Sequence, residues 1–302
     1  MKIIKPIAMT DALLTASNVA ENDHGAWAAD TTYAAQDRVI DTVTHHIYES
    51  VQDGNLGNDP SIDDGTWWLE ISATNRWKAF DGVLADQTEN AGTITYSITT
   101  NQLVTGIAFF NLNAAQVRVR VFDTDTAKVY DTTLDLVDDI DIVDWFSFFT
   151  TDLDEFKTLA MFADFTALPG YRIDITIGDG TGTAAVGEIS LGKIVTLGET
   201  HEGTSIGLKS FSTKEQDRFG NWSIVSRAKS DPVNFTFSMK ANDAARVKRV
   251  LDSLRDTAAV YFAHEDLVAD YAAISFGLFQ DYDIPLRKGG VSTVALEIEG
   301  LT

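Results

Sequence analysis

At 302 residues the chain exceeds one ordinary compact core, so two or three domains are expected. Lys and Arg number 23 against 45 Asp and Glu, a net charge of −22 that repels phosphate backbones and anionic headgroups and disfavours nucleic-acid and membrane-surface binding. The absence of cysteine excludes disulfides, thiolate nucleophiles and Cys-based zinc sites.

In chain order, residues 1–25 read as a lead-in. Met1 to Pro6 holds two lysines without the apolar run of a signal peptide, and no stretch approaches the roughly 20 apolar residues that span a bilayer. The chain is therefore expected to be made in the cytoplasm and used without membrane insertion. A short apolar segment, Ala12 to Val19, ends in the turn cluster Asn22-Asp23-His24-Gly25. Residues 26–74 are aromatic and turn-rich, with strands predicted at Arg38–Ile40 and His46–Ser50. They are followed by a Gly/Asn/Asp loop and Gly65-Thr66-Trp67-Trp68-Leu69. A module this small lies near the lower limit for independent folding.

Residues 75–198 read as strand after strand. Thr93–Ile98, Val117–Val121 and Tyr171–Ile177 alternate with period two, and Val104–Phe110 is mostly apolar. One buried and one solvated face per strand implies an antiparallel sandwich. The acidic stretch from Leu134 to Phe149 reads as a solvated loop. Residues 199–302 change character. Strands are predicted at Phe211–Arg227 and Val233–Met239, and then a helix between Asn242 and Thr257, where Val247, Val250, Leu251 and Leu254 form one stripe behind an Asn242 or Asp243 cap. Further strands are predicted at Ala258–Phe262, Ala272–Phe279 and Val291–Ile298. The expected fold class is mainly β and multi-domain: a small β module, a β-sandwich and a C-terminal α+β domain with one amphipathic helix.

Catalytic patterns are sparse. His45-His46 is the one histidine pair, and neighbours on a strand point to opposite faces, so the two cannot chelate one metal. There is no His-x-x-x-His spacing for a zinc hydrolase. Gly180-Thr181-Gly182-Thr183-Ala184-Ala185 has the form of a dinucleotide loop, but the glycine-broken run after it is no helix, and a hairpin fits better. A glycoside hydrolase needs a carboxyl pair, which abundance alone cannot single out. No cofactor is expected. Asp123-Thr124-Asp125 and Asp138-Asp139-Ile140-Asp141 could contribute oxygens to a structural Ca²⁺, though neither is an EF-hand loop. Trp27, Tyr33, Tyr48, Trp67 and Trp68 are the candidate saccharide-binding residues, since aromatic faces stack on sugar rings. A module this small also needs large side chains simply to have a core.

Three resemblances follow. Ala26-Trp27, Thr32-Tyr33, Asp37-Arg38-Val39, His46-Ile47-Tyr48-Glu49-Ser50, Asn58-Asp59-Pro60 and Trp67 resemble, in order and spacing, the chitin/cellulose-type carbohydrate-binding modules of bacterial chitinases and phage tail proteins. In that family the loop before the proline carries aromatics, whereas Val51 to Asn58 here has none. The stretch opening Asn75-Arg76-Trp77-Lys78-Ala79-Phe80-Asp81 looks like a galactose-binding-like jelly roll. Phe219-Gly220-Asn221-Trp222 through Leu296-Glu297-Ile298-Glu299-Gly300-Leu301 is similar to tail-tip (distal-tail-like) proteins of long-tailed phages. The resemblances imply a non-enzymatic virion protein of the tail tip or baseplate, a symmetric homo-oligomer around the distal tube. Its partners would be the tail tube, baseplate hub and tape measure, with the N-terminal modules displayed outward. A glycan-binding adhesin contacting host surface polysaccharide and a polysaccharide-degrading enzyme are the alternatives.

Overall fold

The computed structural model describes residues 1–137, 157–201, 203–216, 218, 220, 222–225, 229–263, 273–285 and 290–301. The fold is mainly β and multi-domain, and every pairing between its strands is antiparallel. The first part of the chain supplies β1 (Lys2–Pro6), β2 (Leu14–Ser17), β3 (Thr32–Tyr33), β4 (Arg38–Asp41), β5 (His46–Ser50), β6 (Asn55–Leu56) and β7 (Trp68–Ala73). A 3₁₀ turn at Lys78–Phe80 leads to β8 (Thr88–Ala91), β9 (Ile94–Thr99), β10 (Gly106–Phe110), β11 (Gln116–Phe122), β12 (Lys128–Asp135), β13 (Leu159–Phe162), β14 (Arg172–Ile177), β15 (Thr183–Val186) and β16 (Glu188–Thr196). Then come β17 (Glu199–Thr200), β18 (Ser205–Ile206), β19 (Lys209–Ser210), β20 (Thr213–Gln216), β21 (Trp222–Val225), β22 (Lys229–Ser230) and β23 (Val233–Lys240). Helix α1 (Ala244–Asp252), β24 (Ala259–Phe262), β25 (Ile274–Asp283) and β26 (Val291–Gly300) complete the described elements.

Period-two alternation builds the sandwich. Ile94, Tyr96 and Ile98 of β9, Val117, Val119 and Val121 of β11, and Ile173, Ile175 and Ile177 of β14 all point inward. They pack on Ile107 and Phe109 of β10 and on Ile189 and Leu191 of β16. One wall is the five-stranded sheet β12-β11-β14-β9-β2. Its outer face carries ion pairs. The Arg118 guanidinium meets both oxygens of Asp131 at 2.8 Å and holds that carboxyl well below its ordinary range.

The opposite wall is one end of a ten-stranded sheet running β13-β10-β16-β1-β24-β25-β26-β23-β17, with β18 also on β23. Residues 1–25, expected as a lead-in, supply strands to both sheets. β2 pairs with β9, and β1 lies between β16 and β24, so that one sheet passes without a break from the sandwich into the C-terminal strands. At that end α1 covers the sheet, with Val247, Leu251 and Leu254 packed among Phe235, Phe237 and Tyr261. The helix is shorter than the stripe predicted. It begins after a 3₁₀ turn at Ala241–Asp243, its Asp243 cap makes no side-chain hydrogen bond, and Ser253 ends it by donating from its hydroxyl to the Val250 carbonyl.

The long sheet curls. Phe110 of β10 and Phe276 of β25 lie 5.6 Å apart between ring centroids, although β16, β1 and β24 stand between their strands. A flat sheet would separate them by about 19 Å. Ile4, Ala108, Val260, Phe262 and Ile274 fill the concave side. The curl forces the backbones of β16 and β1 together at Gly192, where any Cβ would overlap the Lys5 carbonyl. Gly192→Ala is expected to destabilise the protein by roughly 1–3 kcal/mol through this overlap, read as a lower midpoint in urea unfolding.

Other expectations need correction or fall outside the described residues. The strand after Gly180–Gly182 pairs with β8 rather than with β14, so this segment is a long-range connection and not a hairpin. His45 is not on a strand: it occupies the turn before β5 with a left-handed φ of 61°. The acidic stretch beyond Val137, with Asp138, Asp139 and Asp141, lies outside the described residues.

Candidate functional site

Three places combine polar chemistry or unburied apolar surface. The first is the small module. The structure brings Trp27, Tyr33, Tyr48, Trp67 and Trp68 together as its core: Tyr48 and Trp68 are buried on Val39, and Trp27, Tyr33 and Trp67 pack half-buried around them. Tyr33 meets Trp68 edge-on at 5.2 Å, and the Trp68 indole N–H donates to the Asn58 carbonyl at 2.8 Å. Short polar side chains hold the aromatics in place. Asp63 Oδ2 accepts from the backbone N–H groups of Gly65, Trp67 and Trp68 at 2.9, 3.1 and 3.0 Å. Buried Asn55 donates to Ser50 Oγ and to the Trp67 carbonyl, which closes the aromatic-free loop from Val51 to Asn58. Burial raises the Tyr48 phenol above its ordinary value.

The second place is the junction organised by Asn75-Arg76-Trp77-Lys78-Ala79-Phe80-Asp81. Each residue of this motif has a structural partner. Asn75 brackets Glu89 through its side-chain amide, Arg76 Nε donates to the Val19 carbonyl, and the Ala79 N–H donates to Thr88 Oγ1. Trp77 stacks on the His45 ring at 4.2 Å, and that ring sits between Glu21 at 2.8 Å and Asp11 at 3.1 Å. The Gly82 N–H then donates to Glu188 Oε2 at 2.9 Å. Glu188 stands on the concave face of β16, only 6% exposed, beside a cavity of about 490 Å³ shared with Lys5, Met9, Phe80, Asp81, Ser190 and Thr257. Burial, reinforced by the charge of Asp81, pushes the Glu188 carboxyl up to about 8. Asp81, at the rim, is pushed up to about 6, chiefly by desolvation of its carboxyl. No local pattern distinguished Glu188 among the chain's acids.

The third place is a ribbon. Between β18 and β23 lie the two-stranded pairs β19–β22 and β20–β21, which no third strand joins among the described residues. Ile206, Leu208, Phe211, Trp222 and Val225 are exposed along it, Leu208 by 67% and Trp222 by 64%. Its base is fixed to β26, where Lys209 Nζ meets Glu299 at 2.9 Å and Ser230 Oγ donates to the Gly300 carbonyl at 2.6 Å.

No three His, Asp or Glu side chains converge on a metal position among the described residues. In the turn expected as part of a Ca²⁺ site, Asp123 Oδ1 accepts the backbone N–H groups of Asp125 and Ala127, each at 2.9 Å. Among the described residues no helix is long and apolar enough to cross a membrane.

No protein-family model matches the chain, and no curated protein matches it. Among solved structures, a GH2 beta-galacturonidase from Eisenbergiella tayi, bound to glycerol, aligns at 10% identity with a TM-score of 0.19. The alignment covers 93% of this chain and 36% of that enzyme. A superposition that loose transfers neither fold nor activity.

Proposed function

We propose that this chain is a structural subunit of a phage tail tip or baseplate, assembling as a symmetric homo-oligomer around the distal tail tube and displaying its small module outward. The observation that carries the self-assembling part of this reading is the ribbon. A lone two-stranded pair is marginal in water, and this one leaves large apolar side chains uncovered on a highly charged protein. Burial against neighbours in a closed ring would cover them. The placement in a tail, with tube, hub and tape-measure proteins as neighbours, rests on the sequence resemblance of the C-terminal segment. The reading assigns no reaction to the chain, since Glu188 and Asp81, the carboxyls with raised pKa among the described residues, support the turn at Gly82.

The test is native mass spectrometry of the full chain together with protein identification in purified particles. A ring-sized oligomer and the chain's presence at the tail tip are expected. A strict monomer that is absent from particles overturns the reading. The half-exposed Trp27, Tyr33 and Trp67 keep a second reading in view, an adhesin that stacks these faces on surface polysaccharide. A polysaccharide pull-down compared with Trp67→Ala decides it: retention that the substitution abolishes favours the adhesin.

A further inference from the structure

The ribbon differs from the rest of the chain in charge as well as exposure. Residues 205–230 contain Lys209, Lys214, Arg218, Arg227 and Lys229 against Glu215 and Asp217, a net of +3 within a chain of −22. Everything outside the ribbon therefore carries −25. About a third of that charge lies in the small module. Residues 26–74 hold nine acids (Asp30, Asp37, Asp41, Glu49, Asp53, Asp59, Asp63, Asp64 and Glu70) against Arg38 alone.

The two surfaces also match in what they leave open. In the ribbon's register Gln216 lies opposite Trp222 and Lys214 opposite Ile224, so Lys214 and Trp222 share a face, basic and aromatic together. β7 ends the three-stranded sheet β4-β5-β7, so one of its edges has no strand partner. Leu69, Glu70 and Ile71 are exposed on that strand, and exposed Asp64 lies just before it. An open edge with apolar side chains and carboxylates accepts a further strand or ribbon that brings apolar and basic side chains.

We infer that the ribbon of one copy docks on the acidic β7 edge of the small module of a second copy, apolar side chains to the centre and the Lys214 and Arg218 charges toward the module's carboxylates. This contact deepens the assembly reading and rests on it. It is a heterologous interface, one surface meeting a different one, and such contacts give a ring where the rotation between copies closes and an open filament where it does not. The charges steer and orient the approach, while Trp222 and its apolar neighbours hold it.

Because the chain has no cysteine, introduced thiols report without background. Ser223→Cys on the ribbon and Leu69→Cys on β7 are both exposed positions. The two full-length variants are mixed and joined with a flexible bis-maleimide. The expected product is a mixed dimer of one ribbon and one module, formed faster than either homodimer. It should be lost when Lys214→Glu and Arg218→Glu are added, with association at least about tenfold weaker and strongly salt-dependent. Ribbon–ribbon products alone, or an oligomer unchanged by charge reversal and by Trp222→Ser, overturn this inference and leave the assembly reading standing. A chain monomeric at every concentration and absent from particles overturns both.

Discussion

Raising the pH from about 5 to about 9 is expected to cost the fold roughly 3–5 kcal/mol through Glu188 alone, and Glu188→Gln to remove most of that loss. The sign follows from the direction of the shift. The folded protein holds the Glu188 proton up to about 8, whereas the unfolded chain releases it near the ordinary 4.5. Between these values the native state binds the extra proton, so stability is greatest below the unfolded value and falls as pH climbs through the folded one. The physical cause is burial of the carboxyl on the concave face of β16, where the Gly82 N–H donates to it. The amide of Gln still accepts that hydrogen bond and carries no charge. Urea midpoints at several pH values for both proteins make the comparison. What slope remains in Glu188→Gln should lie mainly in the acid range, because the Asp81 carboxyl reaches only about 6. A parent protein whose midpoint does not move between neutral and alkaline pH would contradict the assignment.

The second large effect is local. Trp68→Ala is expected to cost about 3–5 kcal/mol, because it empties the centre of the small cluster that it forms with Val39 and Tyr48. It also removes the edge contact with Tyr33 and the indole donor to the Asn58 carbonyl. A module of this size cannot absorb such a loss, so residues 26–74 should open while the sandwich, with its separate and far larger cluster, stays folded. Limited proteolysis followed by mass mapping reads this directly: early cuts within the module and none in β9, β11 or β14. Trp67→Ala, at a half-exposed position, should produce a much smaller change. Equal protection of both variants would show that the module's stability lies elsewhere.

How much was legible before the structure depends on how local each cause is. Val117, Val119 and Val121 alternate with two arginines, and that pattern alone assigns one face to the core and the other to solvent; the structure adds that the arginines there meet Asp131 and Asp174. The stripe of Val247, Leu251 and Leu254 is equally local, which is why the helix was placed correctly though drawn too long. The five aromatics of the module were recognised as a group because their spacing is short. What escaped depends on pairing across the chain. Nothing in Lys2–Pro6 says that it will sit between β16 and β24, and nothing near Thr183 announces β8 as its partner. Glu188 looks like any other acid until the turn at Gly82 folds over it. The ribbon could be read as strands, but its isolation from every larger sheet could not, since that depends on which strands fail to reach it.

The position of β1 also bears on how the protein is made. Lys2–Pro6 is synthesised before either of its neighbours: one, Gly192–Thr196, arrives only after the sandwich has been made, and the other, Val260–Phe262, later still. Until then Ile3 and Ile4 have no strand to pair with, and the pairing they await has among the longest sequence separations in the fold. The module and most of the sandwich can settle during translation, but the long sheet can be completed only once β24, β25 and β26 have been made. Truncated products lacking β24 would expose one edge of β1, so synthesis through β24 is itself a condition for a covered, non-aggregating sheet edge.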